Sequence, residues 1–255
     1  MPFHSSRKRR VASILGISAL LSFGFAAGCG SEGGGGGDTG GNGGPALEFG
    51  ACDGSPTYEG EGTYYAATGA GACSFDASSD NPLLVGAMNA PDYANSGVCG
   101  ACAHVKGPEG EVTVRIVDLC PECAHGDIDL SPQAFELLAP LEKGRIPISW
   151  QFVPCGASGP IVYHFKEGSN EWWSAVQIRN HRNAIEKLEY KADDGSWRSV
   201  GRLDYNYFVE EKGMGPGPYT FRVTDVYGNV LEDSGIPFVV AGDAPGKAQF
   251  PACAN

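Results

Sequence analysis

From Leu47 onward the chain is a succession of short β-like runs separated by Gly, Pro and Asp turns, and that punctuation decides its class. The runs fall at 63–66, 112–118, 148–153, 161–165, 175–180, 219–223 and 237–240. One helix is indicated, over 132–139. Ser131 stands as its N-cap, Pro132 takes the first helical position, Leu130 and Phe135 are spaced as a hydrophobic staple, and Pro140 ends it. The pattern predicts a mainly β protein. The turn at 155–160 divides a cysteine-rich unit at 46–156 from a second β unit at 160–255, where Cys253 is the one remaining cysteine. A chain of 255 residues has room for two such units, each with its own core.

Residues 1–28 read as an export signal: Arg7, Lys8, Arg9 and Arg10, an apolar stretch over 11–25, then Ala26-Ala27-Gly28 before Cys29. The stretch is too short for a transmembrane helix. Small residues directly before a cysteine resemble a bacterial lipobox, with Cys29 as the acylated residue. The alternative is ordinary cleavage near Ala27, leaving Cys29 as one more thiol. Lipidation is favoured because it leaves an even eight of the nine cysteines. Residues 30–44 hold ten glycines in fifteen, so 29–45 reads as a lipidated cysteine on a slack tether reaching about 20 Å. The expected location is the outer membrane or cell surface, or the extracellular space, with a membrane contacted through the anchor only.

The net charge of −12 becomes 14 − 30 = −16 once the four basic leader residues are removed. Phosphate backbones repel such a chain, which excludes a general nucleic-acid binder. Cys99-x-x-Cys102 and Cys120-x-x-Cys123 carry the spacing of a four-cysteine zinc site. Export argues instead for four disulfides among Cys52, Cys73, Cys99, Cys102, Cys120, Cys123, Cys155 and Cys253, in a pairing that spacing leaves open. Bridges are preferred, and no metal or organic cofactor is expected.

In Val112-Thr113-Val114-Arg115-Ile116-Val117-Asp118, strand parity places Asp118 in phase with the apolar row, where a carboxylate is costly unless it lines a pocket or finds partners. Asp129 precedes the helix, where it can serve the helix dipole alone or belong to a site with Asp118, close enough to share a proton.

Four segments decide between these readings. Thr63-Tyr64-Tyr65, Cys99-Gly100-Ala101-Cys102, Val117-Asp118-Leu119-Cys120-Pro121 and Asp129-Leu130-Ser131-Pro132-x-Ala134-Phe135 resemble, in this order, the first domain of the expansin family. The run from Lys166 to His181, with Trp172-Trp173 in it, is similar to the start of the expansin carbohydrate-binding domain. Leu203-Asp204-Tyr205-Asn206 and Gly246-Lys247-Ala248-Gln249-Phe250-Pro251 fit its later segments.

The resemblance covers about residues 58–251. It implies a six-stranded double-psi β-barrel followed by an immunoglobulin-like β-sandwich. It also implies a non-hydrolytic, wall-loosening role on cellulose, related β-glucans or peptidoglycan, performed by a monomer. By position it assigns Thr63, Asp118 and Asp129 to a polysaccharide groove, Asp129 being the aspartate most needed. Trp172, Trp173 and Tyr205 become a flat cellulose platform, with Lys166 at its edge. Cys120 stands where bacterial expansins often carry a groove tyrosine.

Parity with inward Val176 and Ile178 sends Trp173 outward and Trp172 inward; both face out only if the pair precedes the strand or a bulge twists it. Trp150 and Trp197 match no platform position. Hydrolysis needs a second carboxyl group, and the segment around Thr63 carries none; Glu59 and Glu61 just before it are the candidates. The enzyme readings on this barrel are an endoglucanase or a peptidoglycan lytic transglycosylase working with one aspartate. A third reading is an adhesive cellulose binder with an inert barrel.

Overall fold

The computed structural model describes residues 48–50 and 54–252. The leader, Cys29, the glycine-rich segment, Cys52 and Cys253 lie outside the described residues.

Six strands close into a barrel: β1 (Tyr58–Tyr64), β2 (Val85–Asn89), β3 (Cys102–Lys106), β4 (Glu111–Cys120), β5 (Ile128–Leu130) and β6 (Ile146–Val153), in the order β1-β5-β2-β4-β3-β6. β1 with β5 and β2 with β4 run parallel, and the remaining pairs antiparallel. Closure satisfies every strand edge within the barrel. Val112, Val114 and Ile116 of β4 point inward with Ile128, Leu130 and Trp150. The Trp150 indole N–H donates to the Gly126 carbonyl at 2.7 Å, so its polar atom is satisfied in the core.

The expected helix is present but shorter, α1 (Pro132–Glu136), with the Ser131 hydroxyl accepting from the Ala134 N–H. Residues 137–139 are turn and bend rather than helix, and a short 3-10 helix follows at Leu141–Lys143. Leu130 and Phe135 are both fully buried in the barrel core, as a staple requires.

Eight further strands follow: β7 (Val162–Phe165), β8 (Ser174–Arg179), β9 (Ile185–Lys191), β10 (Trp197–Arg202), β11 (Phe208–Glu210), β12 (Tyr219–Asp225), β13 (Val230–Ile236) and β14 (Gly242–Pro245). They form one antiparallel sheet, ordered β13-β12-β9-β10-β11-β8-β7-β14. It folds over on itself into a sandwich. Tyr163 of β7 stacks on Phe221 of β12 with ring centroids 4.9 Å apart, and one core gathers residues from both halves. The run 237–240 is not a strand. It links β13 to β14, and Phe238 packs edge-on against Phe165. Trp150 is core, while Trp197 opens β10 under the Arg222 guanidinium.

Among the described residues three disulfides are formed: Cys73–Cys99, Cys102–Cys155 and Cys120–Cys123. Cys99 and Cys102 thus bond outside the proposed four-cysteine zinc set, which dissolves that reading in favour of bridges. Loop length ranks the bridges. Cys102–Cys155 closes a separation of 53 residues and Cys120–Cys123 one of 3. Chain-entropy arguments give about 4 kcal/mol for the first and about 2 for the second. The double variant Cys102→Ala/Cys155→Ala is expected to lower the denaturant midpoint more than Cys120→Ala/Cys123→Ala. Equal shifts in urea unfolding would contradict this ranking.

Candidate functional site

Barrel register builds the first half of the site. Thr63 on β1 lies opposite Asp129 on β5, Asp129 opposite Ala87 on β2, and Ala87 opposite Asp118 on β4. These four residues form one row across four neighbouring strands. The row faces away from the barrel core, because Gly62, Ile128 and Leu130, next to Thr63 and Asp129 in sequence, face inward.

The Thr63 hydroxyl donates to Asp129 Oδ1 at 2.5 Å. Burial raises the Asp129 pKa above the usual carboxylate value. The Thr63 bond and the Arg145 charge oppose that rise, and the Asp118 charge adds to it. Arg145 was not indicated by the sequence. It is exposed and ion-paired with Glu61, which shares the outward face of Thr63, so Glu61 is an engaged carboxylate rather than a free second acid.

Asp118 departs from simple parity. The β2–β4 ladder shifts register between Gly86 and Ala87, so Val117 is an extra residue in β4. Ile116 stays in the barrel core, Val117 joins a separate cluster with Leu83 and Val85, and Leu119 returns to the core. The bulge turns Asp118 out of the inward row and onto the outer face, as bulges commonly do beside functional sites. Its Oδ1 accepts from the Ala72 N–H at 2.7 Å and the Leu119 N–H at 2.8 Å. Gly71 lies against it; a Cβ there would sit 2.3 Å from the Asp118 carboxyl carbon.

The two aspartates do not hydrogen-bond each other. Ala87 stands between them, and each carboxylate is bonded elsewhere. Tyr65, also absent from the sequence-derived set, has a buried hydroxyl that makes no well-aligned hydrogen bond among the described residues. Burial, with Asp118 and Asp129 nearby, pushes its pKa up.

The second half of the site is aromatic. Trp172 and Trp173 precede β8 in a tight turn, so strand parity does not govern them. Asn170 Oδ1 accepts from the N–H groups of both, at 2.9 and 3.1 Å, and the Asn170 N–H donates to the Trp173 carbonyl at 2.7 Å. Trp172 is 71% exposed and Trp173 half-buried, and neither belongs to the sandwich core. The more exposed indole is therefore Trp172, the one that parity had sent inward. Gly213, at φ +71°, lets the next loop close over this turn; a Cβ there would lie 2.0 Å from the Glu171 carbonyl oxygen.

Tyr205 is half-buried, with its ring 5.8 Å from that of Tyr207. Lys166 places its ammonium over the Tyr207 ring at 5.6 Å, so within the protein it meets Tyr207 rather than a platform indole.

Polar contacts join the halves. The Cys73 carbonyl accepts from Gln177 of β8 at 2.9 Å and from Asn206, the neighbour of Tyr205, at 3.2 Å. The Tyr93 hydroxyl donates to the Asp204 carbonyl at 3.1 Å, and the Ser96 hydroxyl to that of Leu203 at 2.8 Å. Arg179 of β8 reaches Asp76 at 2.7 Å. Segment 72–73 thus touches Asp118 on one side and the Tyr205 loop on the other, and the Cys73–Cys99 bridge pins it. His181, whose ring lies against Gly100, is fully buried and held neutral, its pKa pulled down to about 3 by burial and by Arg115.

Comparison with known proteins follows the same division. Residues 58–150 match the family described as lytic transglycolase, a match that runs from the start of β1 into β6 and lies within the barrel. Longer matches extend over both halves. The expansin YoaJ of Bacillus subtilis (strain 168) is 38% identical over 178 residues, 66% of this chain and 76% of that protein. Expansin-like protein 1 of Dictyostelium discoideum is 29% identical over 181 residues, 66% of this chain and 63% of its own length. The crystal structure of the apo Clavibacter michiganensis expansin matches with a TM-score of 0.72 at 32% identity, covering 77% of this chain and 100% of that one. A mutant of the same expansin, in complex with cellohexaose, matches equally well. With a barrel and a sandwich in the same order and 38% identity across most of a known expansin, this chain belongs to the expansin family.

Proposed function

We propose that the protein binds cellulose along a track running from Trp172 and Trp173, past Tyr205, to the Thr63–Asp129–Asp118 row, and loosens its packing without cutting it. The observation that carries this reading is the junction at segment 72–73, which holds the carboxylate row and the Tyr205 loop in fixed relation. Flat indole faces suit the C–H faces of β-linked glucose units. The groove then offers hydrogen-bond acceptors to the same chain. Binding energy gathered on the platform can be used to hold the polymer in a pose that packs poorly on its neighbours. The Clavibacter expansin complex with cellohexaose supports a β-glucan as ligand.

All the residues given to the track belong to one chain, so the reading is of a monomer. Peptidoglycan is the second polymer to test, because the barrel alone matches lytic transglycolases. Adsorption to cellulose and to peptidoglycan, with product release assayed on each, is the direct experiment. The expected result is adsorption to cellulose with neither soluble reducing sugar nor anhydro-muropeptides. Either product would replace loosening by cleavage.

Asp129 also gives a pH signature. Its folded-state pKa lies above the unfolded value, so the folded protein holds a proton there that the unfolded chain releases. That contribution is complete below the ordinary carboxylate pKa and is lost as pH rises through the raised one. Asp129→Asn is expected to remove this falling component from a plot of Tm against pH. Thr63→Val should move it to higher pH, since the Thr63 bond lowers the Asp129 pKa. Superimposable profiles for the three proteins would refute the assignment.

The three disulfides among the described residues fit an oxidising, exported location. The leader and Cys29 extend the proposal to a lipid-anchored module. Cys29→Ala should move the protein from the membrane fraction to the soluble one; an unchanged distribution would mean that Cys29 is not the anchor.

A further inference from the structure

A cavity of about 610 Å³ opens beside the track rather than on it. Phe75, Leu84, Val85 and Val117 supply its apolar wall. Segment 69–72 divides it from the groove: Gly69 lines the cavity, while the Ala72 N–H is bonded to Asp118. Its size falls within the roughly 300–1,000 Å³ of small-molecule sites.

Two charged side chains line this cavity uncommitted. Arg115 projects from β4 on the side away from the barrel core, which Val114 and Ile116 face. Among the described residues its guanidinium has no carboxylate at ion-pair distance and no hydrogen-bond acceptor; burial pulls its pKa down, with Asp80 opposing. The Asp80 carboxylate lines the same cavity and, among the described residues, also has no ion-pair or hydrogen-bond partner. Arg179, by contrast, is already committed to Asp76 at 2.7 Å and to Gln177 at 2.6 Å.

The chemistry selects a ligand. A guanidinium can only donate and a carboxylate can only accept, and here the two share a cavity without reaching each other. An anion would meet Asp76 and Asp80 in the lining, and a cation would meet Arg115. A sugar ring meets neither penalty: its hydroxyls accept from one side and donate to the other, while its C–H face covers Phe75 and the aliphatic wall. We propose that this cavity is a second glycan site that takes a terminal neutral sugar, with Arg115 donating to its hydroxyls and Asp80 accepting from them. The site lies apart from Asp129 and Trp172 and does not depend on the roles given to them.

Amide chemical shifts of the mature protein, titrated with cellotriose, test this. The amides of Gly69, Ser78 and Val117 should shift. In Arg115→Met they should need about tenfold more cellotriose, the effect of losing hydrogen bonds to a charged donor. Asp80→Asn, on an exposed loop where folding is not at stake, should weaken the same response. The Trp172 amide should respond as in the wild type in both variants. Trp172→Ala should show the reverse pattern, so failure at the platform and failure at the cavity are read separately. The proposal is overturned if the three amides respond unchanged in both variants. It is equally overturned if glucuronate shifts them at lower concentration than cellotriose does, which would mark an anion site.

Discussion

Asp129→Ala is expected to abolish wall extension while leaving adsorption to cellulose intact. On the proposed reading the two functions separate because they draw on different halves of the track: adsorption on ring area at Trp172 and Trp173, loosening on what the groove does to a chain already held. Asp129 is the centre of that groove by register, flanked by Thr63 on one side and Ala87 on the other. It is half-buried, so the proposed hydrogen bond to a sugar hydroxyl would be made partly out of bulk water. A hydrogen bond to such a group is worth about 1.5–3 kcal/mol, which corresponds to roughly ten- to hundredfold in the population of the strained complex. Asp129→Asn keeps the shape and separates charge from packing, and it should lose most of the effect as well. Full wall extension by the alanine variant, with adsorption unchanged, would leave the barrel inert and the protein a cellulose adhesive.

Trp172→Ala should weaken adsorption to cellulose by roughly 5- to 150-fold, by analogy with the ~1–3 kcal/mol that one aromatic ring contributes when it stacks on a nucleic-acid base. Because Trp172 is 71% exposed and outside the core, the change should leave the thermal midpoint unmoved. Trp173→Ala should cost less affinity and more stability, since that ring is half-buried. Adsorption carried by neutral contacts should not weaken with added salt, and in a chain of net charge −12 salt has no attraction to anionic glycans to screen. Wild-type adsorption by Trp172→Ala, or a steep loss with salt, would move the principal contact away from the platform.

Much of the molecule was legible before any coordinate. The Ser131-Pro132 helix start, the strand through Val112, Val114 and Ile116, and the order of the motifs follow from local chemistry, and each is where local chemistry puts it. Strands that sequence reading passed over lack a clean signal. β2 is Val-Gly-Ala-Met-Asn, buried at every position and so without alternation. β9 carries Glu186, Lys187 and Glu189 among its apolar residues. The run 237–240 misled in the opposite way: it is apolar because Phe238 caps the sandwich core, not because it belongs to a ladder.

The site divides along the same line. The residue types, their order, and a single aspartate placed before a helix are local facts, and the sequence alone determined them. The pairing of Thr63 with Asp129 across 66 residues, the bulge that turns Asp118 outward, and the docking of the Tyr205 loop on Cys73 were decided only by tertiary structure. The physical reason is that register between strands far apart in the chain is fixed when the barrel closes. A one-residue slip or bulge then inverts which side chains face out of the barrel, and no local propensity records it.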